Sequence, residues 1–221
     1  MNVVLLAATG RAGRTILHEL IGRGHQVTAV ARNFDKLPQQ LPESVQRVQD
    51  DLGNADRIAH IVAGADAVVS AFGPSSSDPR YTSDERYTDQ LVSVTERAIT
   101  AVRKAAVPRL IVVGGCGSLE FSPGVTVLDS GHWPRQYGPI ARSHMKALAA
   151  LRTSSINWTY FSCPMSITPG ERTGRFVLGG DRLIQDAEGK SRISFEDYAV
   201  ALVDELEQPA HERARFTAGY A

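Results

Sequence analysis

The chain is nearly devoid of cysteine, has no long apolar run, and carries no surplus of charge. Only Cys116 and Cys163 occur among 221 residues, at no metal-ligand spacing. That excludes a disulfide scaffold and a structural zinc site, and it predicts two free thiols in a reducing compartment. No apolar stretch nears the roughly 20 residues of a membrane span. Val3 to Ala8 is too short for a signal-peptide core and has no basic lead-in. The expected location is cytoplasmic, with no membrane partner. The 24 basic and 24 acidic residues cancel, which argues against nucleic acid as a partner. A small molecule is the expected ligand, bound by a monomer or homodimer.

What is present is an alternation. Asn2 to Ala7 is a short apolar run that reads as a strand buried on both faces. Ile16, Leu17, Leu20 and Ile21 recur at helical spacing, and Gly22 and Gly24 end that helix. Gln26–Ala31 and Val45–Gln49 read as strands, Ala55–Val62 as a helix and Ala65–Phe72 as a fourth strand. Asp84–Ala106 reads as one long helix, Arg109–Val113 as a fifth strand, and Ile140–Arg152 as a helix leading to a sixth strand, "NWTYFS". Strand–helix alternation of this kind predicts a parallel sheet covered on both faces by right-handed crossovers. The expected fold is a Rossmann doubly wound α/β sheet of order 3-2-1-4-5-6, with an extra C-terminal strand as an option. One domain, 1–221, is expected, with loop-rich parts near 114–139 and 164–194 covering the substrate side. "SFEDYAVALVDEL" reads as a late helix, with Ser194 and Asp197 as an acidic variant of a capping box.

The chemistry starts at "ATGRAGR". The dinucleotide fingerprint is G-x-G-x-x-G, and Ala8, Gly10 and Gly13 stand at its three fixed positions. Gly10 lets the backbone approach a pyrophosphate, and Gly13 permits close helix–strand packing. Ala8 replaces the turn glycine, which is tolerable if its φ is negative. The helix beginning near Ala12 offers N–H groups to phosphate, with Thr9 and Arg11 adding a hydroxyl and a cation. At the end of the second strand, where an acid would bind an NAD ribose, the chain has Arg32, with Lys36 nearby. A guanidinium suits a 2′-phosphate, which favours NADP over NAD. Asp35 lies close and weakens that case, and an exposed arginine without a ligand is the plainer alternative. Asp51, with Leu52, either meets the adenine or serves as a helix N-terminal acid. Ala71, Phe72 and Gly73 would pass the adenosine ribose and pyrophosphate.

These segments resemble the atypical short-chain dehydrogenase/reductases of the NmrA-like NAD(P)-binding family. "VTAVARNFDKL" and "AGADAVVSAFG" mark the superfamily. "GGCGSLE", "PGERTG" and "SRISFEDYA" are similar to the NADH-flavin reductase group and, more distantly, to the biliverdin reductase B type. The resemblance implies a Rossmann fold, a nicotinamide cofactor and cytoplasmic location. Val113, Gly114, Gly115, Cys163, Pro164 and Met165 then line up as further cofactor neighbours.

The Tyr-x-x-x-Lys pair of the better-known short-chain dehydrogenases is missing. Tyr137 is followed four residues later by Ala141. Alignment on Leu151 and Arg152 puts His144 in place of the family's lysine and Ile140 in place of its tyrosine. His144 and Ser118 are the catalytic candidates, with Cys116, Met165 and Ser166 as possible lining. Each has a structural alternative: His144 an exposed helix residue, Ser118 a loop cap, Cys116 and Met165 core fillers. His132, Trp133 and Tyr137 in "GHWPRQY" form either an aromatic lid or a loop packing its own rings. His18, His25 and His60 look isolated and superficial, and no metal site is evident. Ketone reduction needs a proton donor, whereas hydride transfer to a flavin needs mainly alignment. The leading expectation is an NADPH-dependent reductase acting on a flavin or other planar acceptor, with flavin as substrate rather than bound group. The rival is a non-catalytic NADP-binding sensor.

Overall fold

A computed structural model describes all 221 residues. The strands are β1 (Asn2–Leu6), β2 (Gln26–Ala31), β3 (Val45–Gln49), β4 (Ala67–Ser70), β5 (Leu110–Gly114) and the hairpin β6 (Glu120–Ser122) and β7 (Val125–Thr126). They continue with β8 (Trp158–Ser162), β9 (Ser166–Thr168), β10 (Val177–Gly179), β11 (Arg192–Ser194) and β12 (Ala214–Gly219). The helices are α1 (Arg11–Gly22), α2 (Ala55–Val62), α3 (Glu85–Thr88), α4 (Gln90–Lys104), α5 (Gly138–Thr153) and α6 (Phe195–Glu207).

Eight strands form the main sheet, in the order β10-β12-β8-β5-β4-β1-β2-β3. The six-strand doubly wound core is therefore as expected, with β8 as its sixth member. Two strands extend it, parallel β12 and the antiparallel edge strand β10. Alternation along β1 explains its unbroken apolar run. Val3 and Leu5 pack with α1 and α6, while Val4 and Leu6 pack with α2 and α4 on the opposite face. No helix is long and apolar enough to cross a membrane.

Three expectations need correction. The helix foreseen over 84–106 is interrupted at Asp89, where ψ is −6°. The Asp89 carboxylate accepts hydrogen bonds from Ser143 Oγ and Lys146 Nζ of α5, so it is committed to an interhelical contact. The capping box at α6 is half made. Ser194 Oγ accepts from the Asp197 amide, but the Asp197 carboxylate turns to the Thr173 amide and hydroxyl, the Gly174 amide and the Tyr220 hydroxyl. It thereby secures "PGERTG" over the sheet, with Gly174 at φ +65°. Arg172 in the same segment grips Glu19 of α1 through two hydrogen bonds of 2.8 Å and, with Arg23, draws the Glu19 carboxyl down to about 2. Finally, His25 is not superficial: it is buried, and its Nε2 lies 2.8 Å from Glu207.

Candidate functional site

A groove of about 560 Å³ runs along the carboxyl ends of β1 to β5 and past the end of β8. It lies where the strand order reverses between β1 and β4, the position at which doubly wound sheets bind ligands.

Its floor is the turn after β1. The residue with left-handed backbone is Ala7, at φ +60°, so the strained alanine of this turn is Ala7 rather than Ala8. Ala8 is fully buried and donates its amide to Val30. The Gly10 amide closes the turn onto the Ala7 carbonyl at 3.1 Å. A Cβ on Gly13 would press into that same carbonyl, so Gly13 is a packing glycine that sits behind the groove. Gly10 is different. Its φ and ψ, −66° and 168°, suit any residue, and a Cβ there would meet nothing closer than 3.4 Å. The fold itself does not require a glycine at this position. Its bare backbone faces the groove, beside the start of α1.

That helix start has no side-chain cap, in contrast with α2, capped by Asn54, and α6, capped by Ser194. The first intrahelical bond is from the Arg14 amide, which leaves earlier N–H groups for an anion. Arg11 reaches across to Ser76 at 3.3 Å and lies over the Phe195 ring. At the end of β2, Arg32 and Lys36 both line the groove. The Arg32 side chain is exposed; only its backbone carbonyl is engaged, by Gln49 Nε2. Buried Asp50 pairs with Arg57 and accepts from the Leu52 amide, while Asp51 is exposed beside it and holds the Gly53 amide. Leu52 is at φ +62° in this bend.

At the opposite end the wall is Val113, Gly114, His144, Cys163, Ile167 and Phe195. His144 is enclosed between Gly115, where a Cβ would come within 2.8 Å of its ring, and Tyr160. The Tyr160 hydroxyl donates to the His144 carbonyl and accepts from the Gly115 amide. The ring's Nδ1, 3.2 Å away, is then the second donor to that oxygen, and Nε2 is left as a bare acceptor. Burial lowers the His144 pKa to about 4, so the ring is neutral at pH 7.

Several expected residues lie elsewhere. Ser118 does not reach the groove, because its hydroxyl accepts from Arg215 Nη1 at 2.8 Å. Cys116, Gly115, Pro164, Met165 and Ser166 are absent from its lining. After Cys163 the chain turns into β9, so Met165 packs on Cys116, Leu119 and Val127, and Ile167 occupies the wall instead. In the "GHWPRQY" loop Trp133 meets Tyr137 edge-on at 6.3 Å, while His132 stacks on Phe121 of β6 at 4.7 Å.

Two functional groups escaped sequence reasoning. Tyr160 reads there as a core position in a strand. Tyr81, in the short turn Pro79–Thr82, lines the groove and meets Tyr137 at 6.4 Å. Desolvation raises the Tyr81 pKa, so it is a protonated phenol.

Comparison with known proteins agrees with this geometry. The sequence profile of the NAD(P)H-binding family matches residues 7–209. Among solved structures, a Burkholderia pseudomallei protein provisionally called an exported protein is 41% identical, with full coverage of both chains and a TM-score of 0.86. A Bacteroides thetaiotaomicron protein provisionally called an epimerase is 38% identical, covering 99% of this chain and 96% of its own, with a TM-score of 0.88. A Streptococcus pneumoniae protein provisionally called an NADH-flavin reductase is 31% identical, with full coverage of both chains and a TM-score of 0.84. One architecture thus carries three different names, and the choice among activities rests on the groove.

Proposed function

The chain belongs to the NAD(P)H-binding family, and from that premise we propose that it is an NADPH-dependent reductase passing hydride to a flavin or another planar acceptor. The observation that carries the reading is the asymmetry of the groove. One end has an uncapped helix start, an open Gly10 backbone and the cations Arg32 and Lys36. The other end has an apolar and aromatic wall without a carboxylate or lysine.

Bound NADPH supplies the hydride. The chain's residues hold and orient it. Amides at the start of α1 and the Arg11 guanidinium would hold the pyrophosphate, and Arg32 with Lys36 would hold a 2′-phosphate. His144, neutral at pH 7, would offer the nicotinamide end an acceptor nitrogen rather than a proton. Ile167 and Phe195 exclude water and add apolar surface beside an acceptor ring.

Arg32→Ala should erase most of the preference for NADPH over NADH. The expected loss is about 1.5–3 kcal/mol, roughly 10- to 150-fold in relative affinity. Titration of both cofactors checks it, and equal affinities in the unmutated protein would refute the assignment.

A second reading, carbonyl reduction, is favoured by Tyr81, whose phenol is the one neutral acid of the tyrosine type open to the groove with no hydrogen-bond partner of its own. Tyr81→Phe separates the two. With FMN as acceptor, kcat should stay within a few-fold of the unmutated value. Loss of a general acid typically costs about 10²–10⁴-fold, and a drop of that size would move the assignment to carbonyl substrates.

A further inference from the structure

The parallel strands β5 and β8 end side by side, with Gly114 opposite Ser162. The pairing continues one step further, since the Cys163 amide donates to the Gly114 carbonyl at 3.2 Å. Cys116 follows two residues after Gly114, in a turn closed by the Leu119 amide on the Cys116 carbonyl at 2.8 Å. The chain's only two cysteines thereby sit at neighbouring strand ends, although 46 residues of sequence separate them. Their settings differ. Cys163 is half-buried and lines the groove, whereas Cys116 is 2% exposed behind it.

We propose that Cys163 and Cys116 form a peroxide-reactive dithiol in the groove wall, Cys163 attacking and Cys116 resolving. Proximity to Cys163 and burial push the Cys116 thiol up, whereas the same proximity favours the thiolate at Cys163. The open partner is thus the better nucleophile, and the sheltered partner keeps a proton.

The chemistry balances with a hydroperoxide as oxidant. The Cys163 sulfur, its proton released, attacks one peroxide oxygen, the O–O bond breaks, and the departing oxygen takes up that released proton and leaves as water or alcohol. Cys163 is oxidised by two electrons to a sulfenic acid. The Cys116 sulfur then attacks the Cys163 sulfur. The S–O bond breaks, the hydroxyl leaves as water with the Cys116 proton, and an S–S bond forms.

The test treats the full-length protein with hydrogen peroxide and follows thiol titration and peptide masses. Both thiols should disappear together, with a mass loss of about 2 Da for one intrachain disulfide and recovery by dithiothreitol. Cys116→Ser should instead trap a dimedone-reactive sulfenic acid on Cys163. Thiols that stay titratable would overturn the proposal. So would Cys163 ending as a sulfinic acid beside a free Cys116, or a disulfide between two chains. Saturating NADPH should slow the oxidation at least severalfold, an expectation that rests on the groove being the cofactor site. An intrachain disulfide forming at the same rate with NADPH present would count against that site and leave the dithiol standing.

Discussion

A Gly10→Val protein is expected to fold normally and to lose NADPH affinity by at least about a hundredfold, some 2.7 kcal/mol. Both halves follow from the geometry of one residue. The Gly10 backbone is extended, at φ −66° and ψ 168°, a region where valine is at ease. Within the protein, a Cβ there has room, its nearest neighbour being the Ala7 carbonyl oxygen at 3.4 Å. The added methyl groups project over the open start of α1, where a pyrophosphate needs direct access to backbone N–H groups. Gly13 is the control. There, even alanine drives its Cβ into the Ala7 carbonyl, so Gly13→Ala should lower stability as well as binding. Thermal unfolding beside a fluorescence titration separates the two. A folded Gly10→Val protein that still binds NADPH normally would remove the groove from consideration.

One histidine should contribute to a fall in stability on acidification. His144 has a pKa of about 4 in the folded chain, lowered by burial from an ordinary value of 6.5. Between those limits the unfolded chain binds a proton that the folded chain refuses. Stability therefore rises with pH across this window. The contribution is fully present above pH 6.5 and is lost as pH falls toward 4, by up to about 3 kcal/mol. His144→Asn keeps a donor for the Tyr160 hydroxyl and has no titration. Denaturant unfolding at several pH values should show the unmutated protein losing up to about 3 kcal/mol more than the variant between pH 7 and pH 4. Parallel curves would mean that His144 titrates in the folded chain as it does in the unfolded one, near 6.5. It could then exchange a proton near neutral pH, against the role given to it here.

The legible parts of the fold are those where one physical signal dominates. β2, β3 and α2 have the expected limits: the two strands space Val and Ala residues between turn segments, and α2 starts at the Asn54 cap and spaces Ile58 and Val62 at helical period. β9, β10 and β11 escaped notice because each has three residues, too few to show a period. β12, by contrast, is the extra C-terminal strand held open as an option, and it joins the sheet beside β8. The break at Asp89 is a tertiary matter, decided by Ser143 and Lys146 of another helix.

The candidate site divides the same way. The phosphate end is a local motif, strand–turn–helix, and its residues are adjacent in sequence. Even there the strained position is Ala7 and not Ala8, because φ is set by how the strand leaves the sheet. The far end is assembled from five separate segments. Tyr81 comes from a polar, proline-bearing stretch, Ile167 from a short strand and Phe195 from a helix start. Nothing in the spacing of these residues predicts that they meet. Ser118 and Met165 are candidates for that end by sequence, and each is diverted by a local partner.

The most direct measurement is steady-state oxidation of NADPH by the purified protein, with FMN, riboflavin and a quinone offered in turn. Turnover with at least one planar acceptor, kept within a few-fold in Tyr81→Phe and lost in Gly10→Val, is the predicted result. Tight NADPH binding with no turnover of any acceptor would contradict the reductase and identify a protein that senses the cofactor without spending it.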